Sequence, residues 1–536
     1  MTISGFEMVY CFNRMKKNVL NKIMGSASKM AMATFTSRIL GLVREQAMAA
    51  IFGASGITDA FNVAYRIPNM LRDLFAEGAF SPAFVPVFTE AKNKDFNTAR
   101  RLLWSMFIVL LILTVFVCLL MIIFAPEIVA TIAPRFASHA EKFEITVNLL
   151  RIMAPFLSLI SIAALFMGAL NTLKIFFVPA VAPAFFNIVM IVSIIFLPRW
   201  FESHGIRGVY ALGFGVICGG LLQIIVQVPL IIRKNLGPMG PVNLISSHTK
   251  KIFARIGIGS IGIAANQINI FINTMLATGT VVGAVSWLNY AFRLFQFPLG
   301  ILGVSIAGSN LVHFSDAWKA GRKEEAIGFL KSSYLLSLIT IFWAMSMLFA
   351  MSGPTIHLIF ERGAFKFTDT LMTTDVLRLY LLGLPFYSLY KIFGPTFYSL
   401  DKPKIPVIIS VCSIIVNIVF CLTFVPIFGF KILALGVSLS ITINALLQAV
   451  FLGKMLSLRP SFFLNFKVIK VILSGSVTCG IVFVLTEYFF DYNQSFLVKI
   501  LIFVALGLFG IFVYGSLLAL LGEWNNLKKV LGRFKK

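Results

Sequence analysis

Leu102 to Phe124 reads LLWSMFIVLLILTVFVCLLMIIF, a run without one charged residue. Coiled as a helix at about 1.5 Å per residue, it is long enough to cross the roughly 30 Å hydrocarbon core of a bilayer. Comparable runs recur along the whole chain. Working outward from this one, we read fourteen spans, at about 29–52, 58–88, 102–124, 148–170, 178–197, 208–232, 254–277, 282–313, 327–351, 376–399, 405–426, 432–453, 468–488 and 498–521. The first, second and eighth carry charges. Composition agrees: 59% of the 536 residues are hydrophobic, 12% are charged and mean hydropathy is +0.92. A soluble domain carries about 25% charged residues. The expected fold is therefore an all-α membrane protein of about 14 transmembrane helices. No long soluble loop exists, so any site must be built from the spans.

The net charge is +25, which in a soluble protein would suggest nucleic acid. Here the cations sit in short loops between apolar runs, so no nucleic-acid partner is expected. Counted by side, alternate loops hold 29 Lys and Arg against 8 on the opposite side. The positive-inside rule then makes both termini cytoplasmic. Residues 1–26 hold Arg14, Lys16, Lys17 and Lys22 but no apolar core with a cleavage site, so no cleavable signal is expected. The six cysteines are scattered without a CxxC pair, and the five histidines form no cluster, so no metal is expected. Gly257 to Gly262 fits GxGxxG inside an apolar helix, without the strand that dinucleotide binding needs.

The chain repeats itself. Ala64-Tyr65-Arg66 and Ala291-Phe292-Arg293 each enter a Pro-containing helix, 227 residues apart, and Pro179 and Pro406 stand at the same offset. The alternative is chance likeness between apolar helices. A true repeat makes two six-helix lobes related by a pseudo-two-fold axis along the membrane normal, a plan that suits transporters. The expected division is an N-terminal cytoplasmic segment 1–28, an N-lobe 29–232, a cytoplasmic linker 233–253, a C-lobe 254–456, two unpaired C-terminal helices within 457–521 and a basic cytoplasmic tail 522–536.

Ionisable residues inside the spans are the sharpest functional signal. Each costs about 2.5–3.5 kcal/mol at mid-bilayer on insertion scales. Arg38, Arg44 and Glu45 fall in the first span; Asp59, Arg66, Arg72, Asp73 and Glu77 in the second; Arg293 in the eighth. Arg38 and Glu45, seven apart, share a helix face. One reading is salt-bridge pairing or snorkelling at span ends. The other is a wet chamber for an anion, favoured for Arg293, which has no carboxylate within seven residues. The guanidinium fork suits phosphate in two-point contact.

At these residues the chain resembles the MurJ/MviN family of lipid II flippases. Thr36 to Arg44 reads TSRILGLVR; Phe52-Gly53-Ala54 and Thr58-Asp59-Ala60-Phe61 follow; Arg66 to Pro86 reads RIPNMLRDLFAEGAFSPAFVP. Ser286 to Gly300 (SWLNYAFRLFQFPLG), Phe360 to Phe365 (FERGAF) and Gly383-Leu384-Pro385 extend the likeness, which runs from about 25 to 455. The chain departs from the family pattern at Glu45, Phe292 and Gln296, where acids or a different acid are common. The resemblance implies a transporter, not an enzyme, of the multidrug/oligosaccharidyl-lipid/polysaccharide exporter superfamily. Its cationic cavity is lined by spans 1, 2, 7 and 8, and its last two spans form a groove for the lipid tail. The implied substrate is lipid II, an undecaprenyl-pyrophosphate-linked peptidoglycan precursor moved from the cytoplasmic to the periplasmic leaflet of the bacterial inner membrane. The implied substrate-binding residues are Arg38, Arg44, Arg72 and Arg293, with Ser37 beside them. Asp59, Glu45 and Glu77 are expected to act in conformational coupling. The implied partners are lipid II, membrane lipids and the cell-wall synthesis machinery. No cofactor is expected, and without an ATPase motif the drive is a coupling ion or the membrane potential. Span 7 offers Asn266, Asn269 and Asn273 but no carboxylate for a sodium ion. A sister exporter of oligosaccharide-lipids or drugs is the alternative.

Overall fold

The computed structural model describes residues 32–73, 80–240, 243–463 and 465–523. Among these the chain is helical, with no strand. In chain order the first helices are α1 (32–52), α2 (Gly56–Arg72), α3 (Phe80–Lys94), α4 (Phe96–Ile123), α5 (Ala125–Ile132), α6 (Ala140–Met153), α7 (Phe156–Thr172), α8 (Phe177–Ser203), α9 (Tyr210–Ile225) and α10 (Val228–Arg233). Then come α11 (Ser247–Thr278), α12 (Ala284–Pro298), α13 (Val304–Lys319), α14 (Lys323–Ala350), α15 (Ser352–Phe360), α16 (Phe367–Leu381), α17 (Leu384–Ser399), α18 (Lys404–Phe428), α19 (Lys431–Met455), α20 (Phe466–Phe489) and α21 (Phe496–Leu520). The starts of α4, α5, α6 and α8 recur at α14, α15, α16 and α18, each 227 residues on.

Ten helical stretches among the described residues are long and apolar enough to cross a membrane, and α16 with α17, bent by 43°, would make an eleventh. These coincide with eleven of the fourteen runs read from sequence. The other three, 29–52, 58–88 and 254–277, fall on α1, on α2 with α3, and on α11. They carry Arg38, Arg44, Arg66, Arg72 and the asparagines singled out above; Arg293 lies on α12, within one of the ten.

By contact the chain divides into two compact units. One comprises Met1–Ile51, Ala60–Thr131 and Phe136–Ala264; the other Phe52–Asp59, Ile132–Arg135 and Ala265–Lys536.

In the first unit, Phe80, Phe84 and Phe88 stack along α3 with ring centroids 5.2 and 5.1 Å apart, all fully buried. Gly168 on α7 admits Phe84 because a Cβ there would lie 3.0 Å from its ring. Close approach at small residues is how helices associate where lipid offers no hydrophobic drive. Hydroxyls inside the spans turn back on their own helix: Thr114 Oγ1 donates to Leu110 O at 2.6 Å and Ser161 Oγ to Leu157 O at 2.7 Å. Before α4, Asp95 is an extended N-cap accepting from Asn97 N and Thr98 N. Its bonds from Thr98, side chain first and then backbone, with Asn97 N adding a further one, hold its carboxyl below the usual range. A depressed carboxylate contributes stability above its unfolded pKa, lost as pH falls through the folded one. Asp95→Asn should therefore lower thermal stability at neutral pH, and the difference from wild type should vanish on acidification, as read by melting curves across pH.

In the second unit the core is built by α13, α14, α17, α19 and α20. Pro298 cannot donate a backbone bond, and a π turn over Leu299–Gly303 follows it, joining α12 to α13. The α20–α21 hairpin docks through Tyr514 OH, which donates to Ile339 O of α14 at 2.8 Å. At another point Lys499 Nζ lies 2.8 Å from His357 Nε2 of α15. An apolar cavity of about 820 Å³ opens between Tyr334, Phe342, Phe386, Phe393, Phe463 and Ile472, with α20 as one wall.

Candidate functional site

Each unit holds part of the predicted constellation. In the first, α1 carries Ser37, Arg38, Arg44 and Glu45. Arg44 Nη2 donates to Glu45 Oε1 at 2.6 Å, both side chains nearly buried. Arg44 Nη1 donates to Asn187 Oδ1 of α8 at 3.1 Å, and Asn187 Nδ2 donates to Ser37 O at 3.1 Å. One amide thus clamps α1 at two points about two turns apart and aims the guanidinium. Arg44 also lies over the Phe186 ring, 5.9 Å from its centroid, and within electrostatic reach of Tyr65 and Arg72. Glu45 pairs with its neighbour Arg44 rather than with Arg38 about two turns away. Arg38 is exposed and makes no ion pair among the described residues.

Arg72, at the end of α2, donates through Nη2 to Asp73 Oδ1 at 3.0 Å, with both side chains partly open to solvent. Pairing to an adjacent carboxylate is what the salt-bridge reading of these charges expects, and it holds for Arg44 and Arg72. On Arg44 the bonds to Glu45 and Asn187 engage two of the five donors a guanidinium carries. Glu77 lies outside the described residues.

In the second unit Arg293 is exposed on α12. The N-terminus of α12 is where Asp59 acts. Its N-cap is Gly283, at φ +93, which has no side chain to satisfy the orphan amides of the first turn. Asp59, buried at 1% exposure in the first turn of α2, supplies the missing acceptor. Its Oδ2 accepts from Gly283 N at 2.7 Å, and its Oδ1 from Ser286 N at 3.0 Å and Ser286 Oγ at 2.7 Å. A carboxylate at a helix N-terminus also meets the favourable end of the helix dipole. Asp59 and Ser286 are themselves 227 residues apart, the offset of the repeat.

The other quoted motifs converge on the same place. Gly53, at φ +66, turns where a Cβ would stand 2.7 Å from Ala364 O. Tyr290 OH donates to Gly53 O at 3.3 Å, and its ring packs on Phe360 and Phe365. Trp287 Nε1 donates to Asp369 Oδ1 at 2.9 Å, while Asp369 Oδ2 accepts from Lys366 N. Residues 52–59, 283–290 and 360–369 therefore form one hydrogen-bonded node, with Asp59 at its charged centre. On α11, Asn269 and Asn273 accept from Asn417 Nδ2 of α18 at 2.6 and 3.2 Å. Each unit thus ties its long N-terminal polar helix to a later one through an asparagine.

Asn187 and Asn417 were missed in the sequence, as were Ser286 and Asp369. The two asparagines had a legible signal, a single amide inside an otherwise apolar span. Ser286 and Asp369 had none, because their roles arise from partners 227 and 82 residues away.

A polytopic helical architecture, a cation-bearing first pair of helices and this capped node define a membrane transporter. The model of the family described as lipid II flippase MurJ matches residues 48–503. A probable lipid II flippase MurJ of Buchnera aphidicola subsp. Acyrthosiphon pisum is 35% identical over 480 residues, covering 88% of this chain and 92% of the relative. A solved structure titled lipid II flippase MurJ, inward closed conformation, superposes with a TM-score of 0.75 at 26% identity, covering 91% of this chain and 98% of that one. An inward-facing multidrug resistance MATE family transporter of the MOP superfamily matches with a TM-score of 0.63 at 13% identity, over 79% and 94% of the two chains, and shares the fold. The chain belongs to the lipid II flippase MurJ family. It is a multi-pass bacterial membrane protein of a transporter family.

Proposed function

We propose that this chain is a lipid II flippase, moving the undecaprenyl-pyrophosphate-linked precursor from the cytoplasmic to the periplasmic leaflet of the inner membrane by alternating access. The observation that carries the reading is the set of arginines on α1, α2 and α12, held at sequence positions that match the family motifs. Arg38, Arg44, Arg72 and Arg293, with Ser37, bind the diphosphate. Asp59, Glu45 and Glu77 bias the conformational equilibrium, Asp59 through the cap of α12. The fold is taken as fourteen spans, two six-helix lobes over 29–232 and 254–456 joined by the linker 233–253, and two further helices within 457–521. The recurrence of helix starts at one offset supports the two lobes. The apolar cavity against α20 supports a berth for the isoprenoid tail. The segment 1–28 and the tail 522–536 are cytoplasmic, by the excess of cations on that side. A coupling ion or the membrane potential supplies the drive, and the cell-wall synthesis machinery consumes the product.

The test is complementation. Expression in a bacterium depleted of its own lipid II flippase should restore growth and cell shape. Failure to do so, with the protein present in the inner membrane, would refute the reading.

A further inference from the structure

Lys391 lies in α17, inside the span read at 376–399, and neither the motifs nor the capped node uses it. It stands seven positions after Leu384 and eight before Ser399, about 10 and 12 Å along the helix. That is deeper than a lysine side chain reaches, so snorkelling to the nearer helix end does not hydrate it. No carboxylate pairs with it among the described residues, yet the residue is exposed. Its surroundings are two phenol rings: Nζ is 5.6 Å from the centroid of Tyr387 and 5.9 Å from that of Tyr390. Those rings are held in place. Tyr387 meets Phe295 of α12 edge-on at 5.7 Å and Tyr390 at 6.1 Å. Tyr390 bonds to Ser410 of α18, whose Oγ accepts from Asn444 Nδ2 of α19 at 3.2 Å.

Cation–π contact at this range recovers only part of what an ammonium at bilayer depth loses in hydration. The remainder calls for water or an anion. The aromatic wall is shared with α12, the helix that bears Arg293. We propose that Lys391 is a further substrate-binding residue, an ammonium framed by Tyr387 and Tyr390 that takes an oxyanion of the lipid-linked cargo. This rests on the flippase reading above. The oxyanion is a phosphate oxygen of the diphosphate or a carboxylate of the attached peptide, and the two are separable.

The experiment is equilibrium binding to the purified full chain, with lipid II and undecaprenyl diphosphate as probes. Lys391→Gln should weaken binding about tenfold or more, as loss of one charge-assisted contact predicts, and Lys391→Arg should largely restore it. Weakening toward both probes assigns the diphosphate; weakening toward lipid II alone assigns a carboxylate of the head group. Unchanged affinity for both probes, with wild type binding, overturns the proposal. Equal weakening by Lys391→Arg also overturns it, since packing rather than charge would then be at stake. If wild type binds neither probe, the flippase reading fails and Lys391 falls with it.

Discussion

Replacing Arg44 with Ala should abolish complementation while leaving the protein in the membrane. Arg44 is the best-braced cation of the set, bonded to Glu45 and to Asn187 and nearly buried. A charge-assisted hydrogen bond contributes about 1.5–3 kcal/mol, so losing two contacts to a diphosphate costs about a hundredfold or more in binding. Arg44→Lys should not rescue. An ammonium keeps the charge but not the planar fork that can hold Asn187, Glu45 and a phosphate together. Asn187→Leu should lie between, since it keeps the cation and removes the amide that aims it. The reading is growth of depleted cells, with membrane abundance measured alongside. Full growth of Arg44→Ala would remove Arg44 from the site.

Asp59→Ala should also abolish transport, by a different route. The carboxylate accepts three hydrogen bonds, two of them from backbone amides at the start of α12. Its removal leaves buried donors unpaired, at a cost of about 3 kcal/mol to this arrangement. Asp59→Asn is the sharper variant. It preserves volume, but its amide turns a donor toward amides that are themselves donors. Both variants should shift the equilibrium away from the state seen here, and crosslinking of cysteines introduced on the 52–59 and 360–369 loops should fall. If Asp59→Asn transported normally, the cap would be packing and nothing more.

The fold was legible wherever a span is uniformly apolar. Leu102 to Phe124 needed no context, because its helix must satisfy its own backbone in lipid whatever surrounds it. The charged helices were harder. The first, second and eighth spans carry charges, and α1, α2 and α12, which lie in them, carry the candidate site. The arginines could be named from sequence, since charge at bilayer depth is costly wherever it occurs. Their partners could not. The seven-residue spacing suggested that Glu45 faces Arg38, yet Arg38 is exposed, Glu45 is buried, and the bond forms between neighbours, Arg44 and Glu45. Asp59 was expected to act in conformational coupling; its observed bonds cap a helix that begins 225 residues later, at Ala284. That role depends on Gly283 leaving its own helix uncapped. Lys391 lies well inside the span read at 376–399, but the sequence does not show that the rings of Tyr387 and Tyr390 frame its ammonium.

The most direct test of the central claim is transverse movement of lipid II in proteoliposomes, followed as the fraction accessible from outside over time. The wild-type chain should accelerate that movement, and a chain with Arg38, Arg44, Arg72 and Arg293 all changed to Gln should leave it at the rate of protein-free vesicles. Movement by the neutralised chain at the wild-type rate would contradict the account, because lipid II would then cross without the guanidinium groups assigned to hold it.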